Sequence, residues 1–114
     1  MPTFGHIAKF RTKPGQRDAL IEALRPMFEQ VKSEPGTLLY MMHTSPDEPD
    51  AVWFYERYAD AAAFEHHRTT PAHDRALAAI KPFLAAEDGI RVDHLELVEC
   101  KANAVLPPEV TGLP

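Results

Sequence analysis

The sequence contains a single cysteine, Cys100. No intrachain disulfide can close, and a thiolate site for zinc or an iron–sulfur cluster lacks its ligands, so a reducing, cytoplasmic setting is expected. Serine is almost as scarce: Ser33 and Ser45 both sit beside turns, which argues against a serine nucleophile. Charge is not concentrated in one sign. Twelve basic and seventeen acidic residues give a formal net charge of -5, and the Lys and Arg residues are scattered. Nothing here attracts a polyanion, and nucleic acid is not an expected partner. No apolar run approaches the roughly 20 residues of a membrane helix. The apolar residues of segment 1–11 are interrupted by His6 and Lys9, unlike a signal-peptide core. Neither export nor a membrane partner is expected. Glycine-rich phosphate loops, His-Glu-x-x-His, the EF-hand loop and Gly-x-Ser-x-Gly are all missing.

What is present is the balance of a folding chain, 45% apolar and 25% charged over 114 residues, enough for one domain. We take residues 1–100 as that domain and the proline-containing segment 101–114 as an extended arm. Residues 3–12 alternate as a strand. After the turn signal Pro14-Gly15, Leu20, Leu24, Met27, Phe28 and Val31 form a helical stripe, interrupted by Pro26, which should bend the helix or weaken its middle turn. Segments 37–44 and 51–58 read as strands of a hairpin joined by residues 45–50. Asp60 caps a short helix to about Arg68, and Thr70-Pro71 opens another that continues past Pro82 to Gly89. Residues 90–100 form the last strand. Its apolar residues change parity between Val92 and Leu95, which predicts a bulge. The order predicts an α+β, ferredoxin-like split βαβ fold (β-α-β-β-α-β) with a four-stranded antiparallel sheet and helices on one face.

Both faces of the central strands are apolar. Leu38, Tyr40 and Met42 oppose Leu39, Met41 and His43, while Val52, Phe54 and Tyr58 oppose Trp53 and Tyr55. Helices cover one face only, so the other is expected to pack on a second copy in a homodimer. The arm, with Val105 and Leu106, either crosses that partner or frays.

With serine and cysteine chemistry set aside, imidazole, carboxylate and phenol groups remain. Six histidines stand out. Helical spacing turns His67 inward with Phe64 and His66 outward, and places His73 on the face of Leu77 and Ile80. His6 and His43 lie on strand faces. Each has a structural alternative as a hydrogen-bonded core residue, and no ligand spacing singles out a metal site. Glu56 either pairs with an imidazole or bonds to Arg57 or Arg68. Tyr40, Trp53, Phe54, Tyr55, Tyr58 and Phe64 can wall a pocket for a planar ligand or simply form core.

Pro35-Gly36-Thr37-Leu38-Leu39-Tyr40, the segment Phe54-Tyr55-Glu56-Arg57-Tyr58-Ala59-Asp60-Ala61-Ala62-Ala63-Phe64, and His67 before Thr70-Pro71 together resemble the antibiotic biosynthesis monooxygenase (ABM) domain family. The resemblance covers about residues 3–99. It implies a dimeric α+β barrel with an apolar cavity between sheet and helices. It also implies cofactor-independent oxidation of a small hydroxyaromatic or quinol, with dioxygen as co-substrate. His67 matches a histidine common in quinol-oxidising members and is the expected base or anion stabiliser. Tyr40 and Tyr58 are the expected hydroxyl donors, and Trp53, Phe54, Phe64, His73 and His43 the substrate-binding wall. Phe54 and Tyr58 stand where polyketide-oxidising members carry asparagine and tryptophan, so that reaction does not transfer. His73 lies near the axial histidine of a haem-degrading branch, whose asparagine and tryptophan partners are missing. An isomerase using imidazole proton transfer and a non-catalytic binding dimer are the alternatives.

Overall fold

The computed structural model describes residues 4–86 and 88–101. Its strands are β1 (Phe4–Arg11), β2 (Thr37–Ser45), β3 (Glu48–Tyr58) and β4 (Ile90–Glu96). Its helices are α1 (Arg17–Val31), α2 (Ala61–Arg68) and α3 (Pro71–Ile80), the last followed by a 3₁₀ turn at Lys81–Phe83. The sheet order is β2-β3-β1-β4, every pair antiparallel. This is the expected ferredoxin-like topology.

Several boundaries differ from expectation. The hairpin ladder extends further, pairing Ser45 with Glu48, so the connection narrows to Pro46-Asp47. α1 runs unbroken through Pro26, whose ring lies on the exposed side and displaces no core residue. α3 stops at Ile80 because Pro82 lacks the N–H a further helical turn needs, and the chain tightens into the 3₁₀ turn instead. β4 ends at Glu96, not Cys100, and pairs with β1 without a break from Phe4↔Glu96 to Phe10↔Ile90. The expected bulge is not there. Leu95 simply points to the sheet face opposite Ile90 and Val92. The ladder irregularities fall in β2, between Thr37 and Leu39 and between His43 and Ser45. Beyond Lys101, the expected arm lies outside the described residues.

The helix-facing side of the sheet carries the even-numbered residues, among them His6, Ala8, Tyr40, Phe54 and Glu56. The core forms where α1 lays Leu20, Leu24 and Met27 against Val52 and Phe54, joined by Ala76 and Ile80 of α3. Fully burying each large member contributes about 1.5–3 kcal/mol. α3 packs chiefly on α1 rather than directly on the sheet. The space this leaves between α3 and the β1–β4 half of the sheet is where the candidate site lies.

Candidate active site

A cavity of about 190 Å³ opens there. Its wall is mostly apolar, with Ala8, Leu24, Met27 and Ile80 deep and Leu77, Ile90 and Val92 toward the rim, the last three being exposed. Its polar groups are His6, Tyr40, Glu56, His67, Arg68 and His73. An engineered apolar cavity of about 150 Å³ takes up benzene, so this space suits one substituted ring.

His67 sits in the last turn of α2, a helix started by the Asp60 carboxylate, which accepts from the Ala63 N–H at 2.8 Å. The Thr70 hydroxyl accepts from the His73 N–H at 3.2 Å and opens α3, with Pro71 in the first turn. The break between the two helices brings His67 and His73 edge to face, with ring centroids 5.2 Å apart.

Beneath His67 lies a carboxylate that sequence reasoning missed. Glu34, in the turn between α1 and β2, is 3% exposed, and its Oε1 is 2.8 Å from His67 Nδ1. The turn can reach α2 because residue 36 is glycine: a Cβ there would stand 2.5 Å from the Ala63 Cβ. Glu34 also accepts from Gln30 Nε2 at 2.9 Å and from the Thr37 hydroxyl at 2.8 Å. Burial pushes its carboxyl up, but the hydrogen bonds from Gln30, His67 and Thr37 outweigh burial and hold it below the usual glutamate value. The ionised carboxylate therefore accepts from His67, and Nδ1 carries the hydrogen. His67 Nε2 is 3.9 Å from Glu56 Oε1, beyond hydrogen-bond reach, and remains available.

Glu56 is the second buried carboxylate, and its partners are an imidazole and a phenol. Its Oε1 lies 3.0 Å from His6 Nε2 and accepts a hydrogen bond from the Tyr58 hydroxyl. Burial first, and then the Glu56 charge, push the Tyr58 phenol far above its ordinary value, and burial with Glu56 and Glu34 does the same to Tyr40. Both phenols stay protonated and keep a hydrogen to donate. Burial and the neighbouring His67 lower the His73 imidazole, which stays neutral.

The expected residues are thus only partly brought together. His67, Tyr40, Phe64 and His73 line the cavity. Tyr58 is fully buried behind it, its hydroxyl committed to Glu56, so it positions Glu56 instead of meeting a ligand. Phe54 belongs to the core, against Phe10, Phe28 and Tyr40. Trp53 and His43 pair with each other across β2 and β3 on the opposite sheet face, where Lys9 Nζ lies 4.6 Å from the Trp53 ring centre. Strand alternation keeps both out of the cavity. His6, to which the resemblance gives no role, is in its wall. Glu34 carried no local signal, since its contact with His67 spans 33 residues.

The antibiotic biosynthesis monooxygenase family matches over residues 3–79, and the chain belongs to that family. A candidate monooxygenase of Mycobacterium tuberculosis, Rv0793, is 35% identical over 65 residues, 57% of this chain. The chain matches 63% of that protein's length and 42% of a second curated relative's. Among solved structures, a candidate antibiotic biosynthesis monooxygenase of Chloroflexus aurantiacus is 32% identical, with a TM-score of 0.71 over 88% of this chain and 97% of that one. A Caulobacter crescentus counterpart reaches a TM-score of 0.78 at 27% identity, covering 86% and 92%. Among the described residues, no helix is long and apolar enough to cross a membrane.

Proposed function

We propose that this protein is a cofactor-independent monooxygenase acting on a small hydroxyaromatic or quinol in the reducing cytoplasm. The observation that carries the reading is the buried Glu34–His67 pair opening onto an apolar, ring-sized cavity. Glu34 fixes the His67 tautomer so that Nε2 presents its lone pair, which is what a base for an aromatic hydroxyl requires. Tyr40, held protonated, donates to the oxyanion that forms. In a dry cavity the phenolate is electron-rich enough to reduce dioxygen itself. One electron passes to O₂, the radical pair joins at a ring carbon, and the O–O bond breaks as that carbon loses its hydrogen. A phenol and O₂ become a quinone and water, so the substrate supplies every electron and no external reductant is needed. A cavity of about 190 Å³ does not accommodate a porphyrin, which disfavours the haem-binding alternative.

We further propose that the protein works as a homodimer through the outer sheet face. That face carries Ile7, Leu39, Met41, Trp53 and Tyr55, with Met41 exposed and Trp53 Nε1 buried without a partner among the described residues.

The test is aerobic turnover of a panel of phenols and hydroquinones, with oxygen uptake recorded. The expected result is one O₂ consumed per quinone formed, with kcat at least about a hundredfold lower in His67→Ala. Undiminished rates in that variant would remove His67 as base. Activity that persists without oxygen would indicate proton transfer alone, and the isomerase reading would replace this one.

A further inference from the structure

We propose that His6 is a second substrate-contacting imidazole, set beside the buried Glu56–Tyr58 pair. The inference rests on the reading of this cavity as a site for hydroxyaromatics and adds a residue to its machinery.

Glu56 Oε1 already receives the Tyr58 hydroxyl, and His6 Nε2 lies 3.0 Å from the same oxygen. A neutral His6 that turns its hydrogen toward this carboxylate carries it on Nε2 and keeps its lone pair on Nδ1. His6 is 4% exposed and forms part of the cavity wall, and its Nδ1 has no hydrogen-bond partner among the described residues. A buried acceptor left unpaired is costly, and a ligand hydroxyl that donates to it removes that cost. Phe64 meets the ring edge-on at 5.1 Å and Tyr58 packs on it at 5.7 Å, between ring centroids. Among the described residues, His73 Nδ1 is unpaired as well, and no carboxylate is hydrogen-bonded to that ring.

The cavity therefore presents two imidazoles, each backed by its own buried carboxylate. One hydroxyl needs one such pair. The second pair has a role when the ligand brings a second hydroxyl, and the apolar remainder of the wall offers that hydroxyl few other acceptors. In oxidation of a dihydroxyaromatic by O₂, both O–H bonds break as the carbonyls form. His67 and His6 take one proton each. Both protons leave with one oxygen atom as water, and the other oxygen atom enters a ring C–H, giving a hydroxyquinone.

Anaerobic titration calorimetry with 1,4-hydroquinone against 4-methoxyphenol, and catechol against 2-methoxyphenol, tests the assignment. In the unmodified protein, one diol is expected to bind at least about tenfold tighter than its ether. His6→Gln keeps an amide near the Nε2 position for Glu56 but has no acceptor in place of Nδ1. It is expected to abolish the preference, the diol then binding no more tightly than its ether. Absence of a preference in the unmodified protein, or its survival in His6→Gln, would overturn the proposal. Should His6→Gln fail to fold, the ¹⁵N resonance of His6 Nδ1 in the unmodified protein decides. It shifts on adding the diol and not the ether if the proposal holds, and stays fixed if it does not. Because oxygen is excluded, the two readings fail separately: a diol preference lost in His6→Gln stands even if aerobic turnover is never seen, and turnover without any diol preference removes His6 alone.

Discussion

The chemistry of this site is decided by which atoms of two imidazoles are already occupied. His67 Nδ1 faces Glu34 and His6 Nε2 faces Glu56, and those contacts determine which nitrogen of each ring is left for a ligand. Replacing Glu34 by Gln keeps an acceptor under His67 but removes the charge. The expected outcome is a fall in kcat of about ten- to a hundredfold, part of what a positioned base supplies, together with about 1–2 kcal/mol of stability, read by turnover and urea unfolding. Protonation supplies a second prediction. The His73 imidazole is depressed below 6.5 by burial and by His67, so below that pH the unfolded chain takes up a proton that the folded chain refuses. Its contribution is complete above pH 6.5 and is lost as pH falls toward the folded value. Glu34, also depressed, contributes fully above 4.5 and loses its contribution as pH falls through its lower folded value. The urea midpoint should therefore decline in two stages on acidification. His73→Asn is expected to flatten the upper stage and leave the lower one, as equilibrium unfolding between about pH 7.5 and pH 2.5 would show.

Among the elements, the decisive contact is between the α1–β2 turn and α2. Pro35-Gly36 is readable as a turn in the sequence. That its glycine is needed for space follows only from the approach of Ala63, whose Cβ would meet a Cβ at residue 36 at 2.5 Å. Gly36→Ala should force α2 outward, lengthen the Glu34–His67 bond and cost about 1–3 kcal/mol, as overpacking does. Ala63→Gly in the same chain removes the opposing methyl, so the double mutant should lose less than the sum of the two single mutants. A positive coupling energy in a double-mutant cycle checks this, and simple additivity would refute it. The helix starts at Asp60 and Thr70 were legible because capping is local chemistry. The end of α3 was misplaced because the apolar spacing of Phe83 and Leu84 continues past Pro82, while the backbone does not. Likewise the parity change in β4 suggested a bulge when it reflects only apolar residues on both faces.

Over the whole molecule, the sheet has two apolar sides and the helices cover one. If the outer face is the dimer contact, Met41→Asp should convert the protein to a monomer in sedimentation. It should also remove the dependence of thermal stability on protein concentration. A monomeric parent protein would contradict the proposal. The topology, the inward turn of His67 and the capped helix starts were set by the sequence alone, because periodicity, turn residues and caps act between near neighbours. Tertiary structure alone decided that Glu34 lies under His67, that His6 and Glu56 form a second pair, and that Trp53 and His43 fall outside the cavity. Those contacts join segments tens of residues apart, and they exist only once the strands have taken their register and α2 has closed over Gly36.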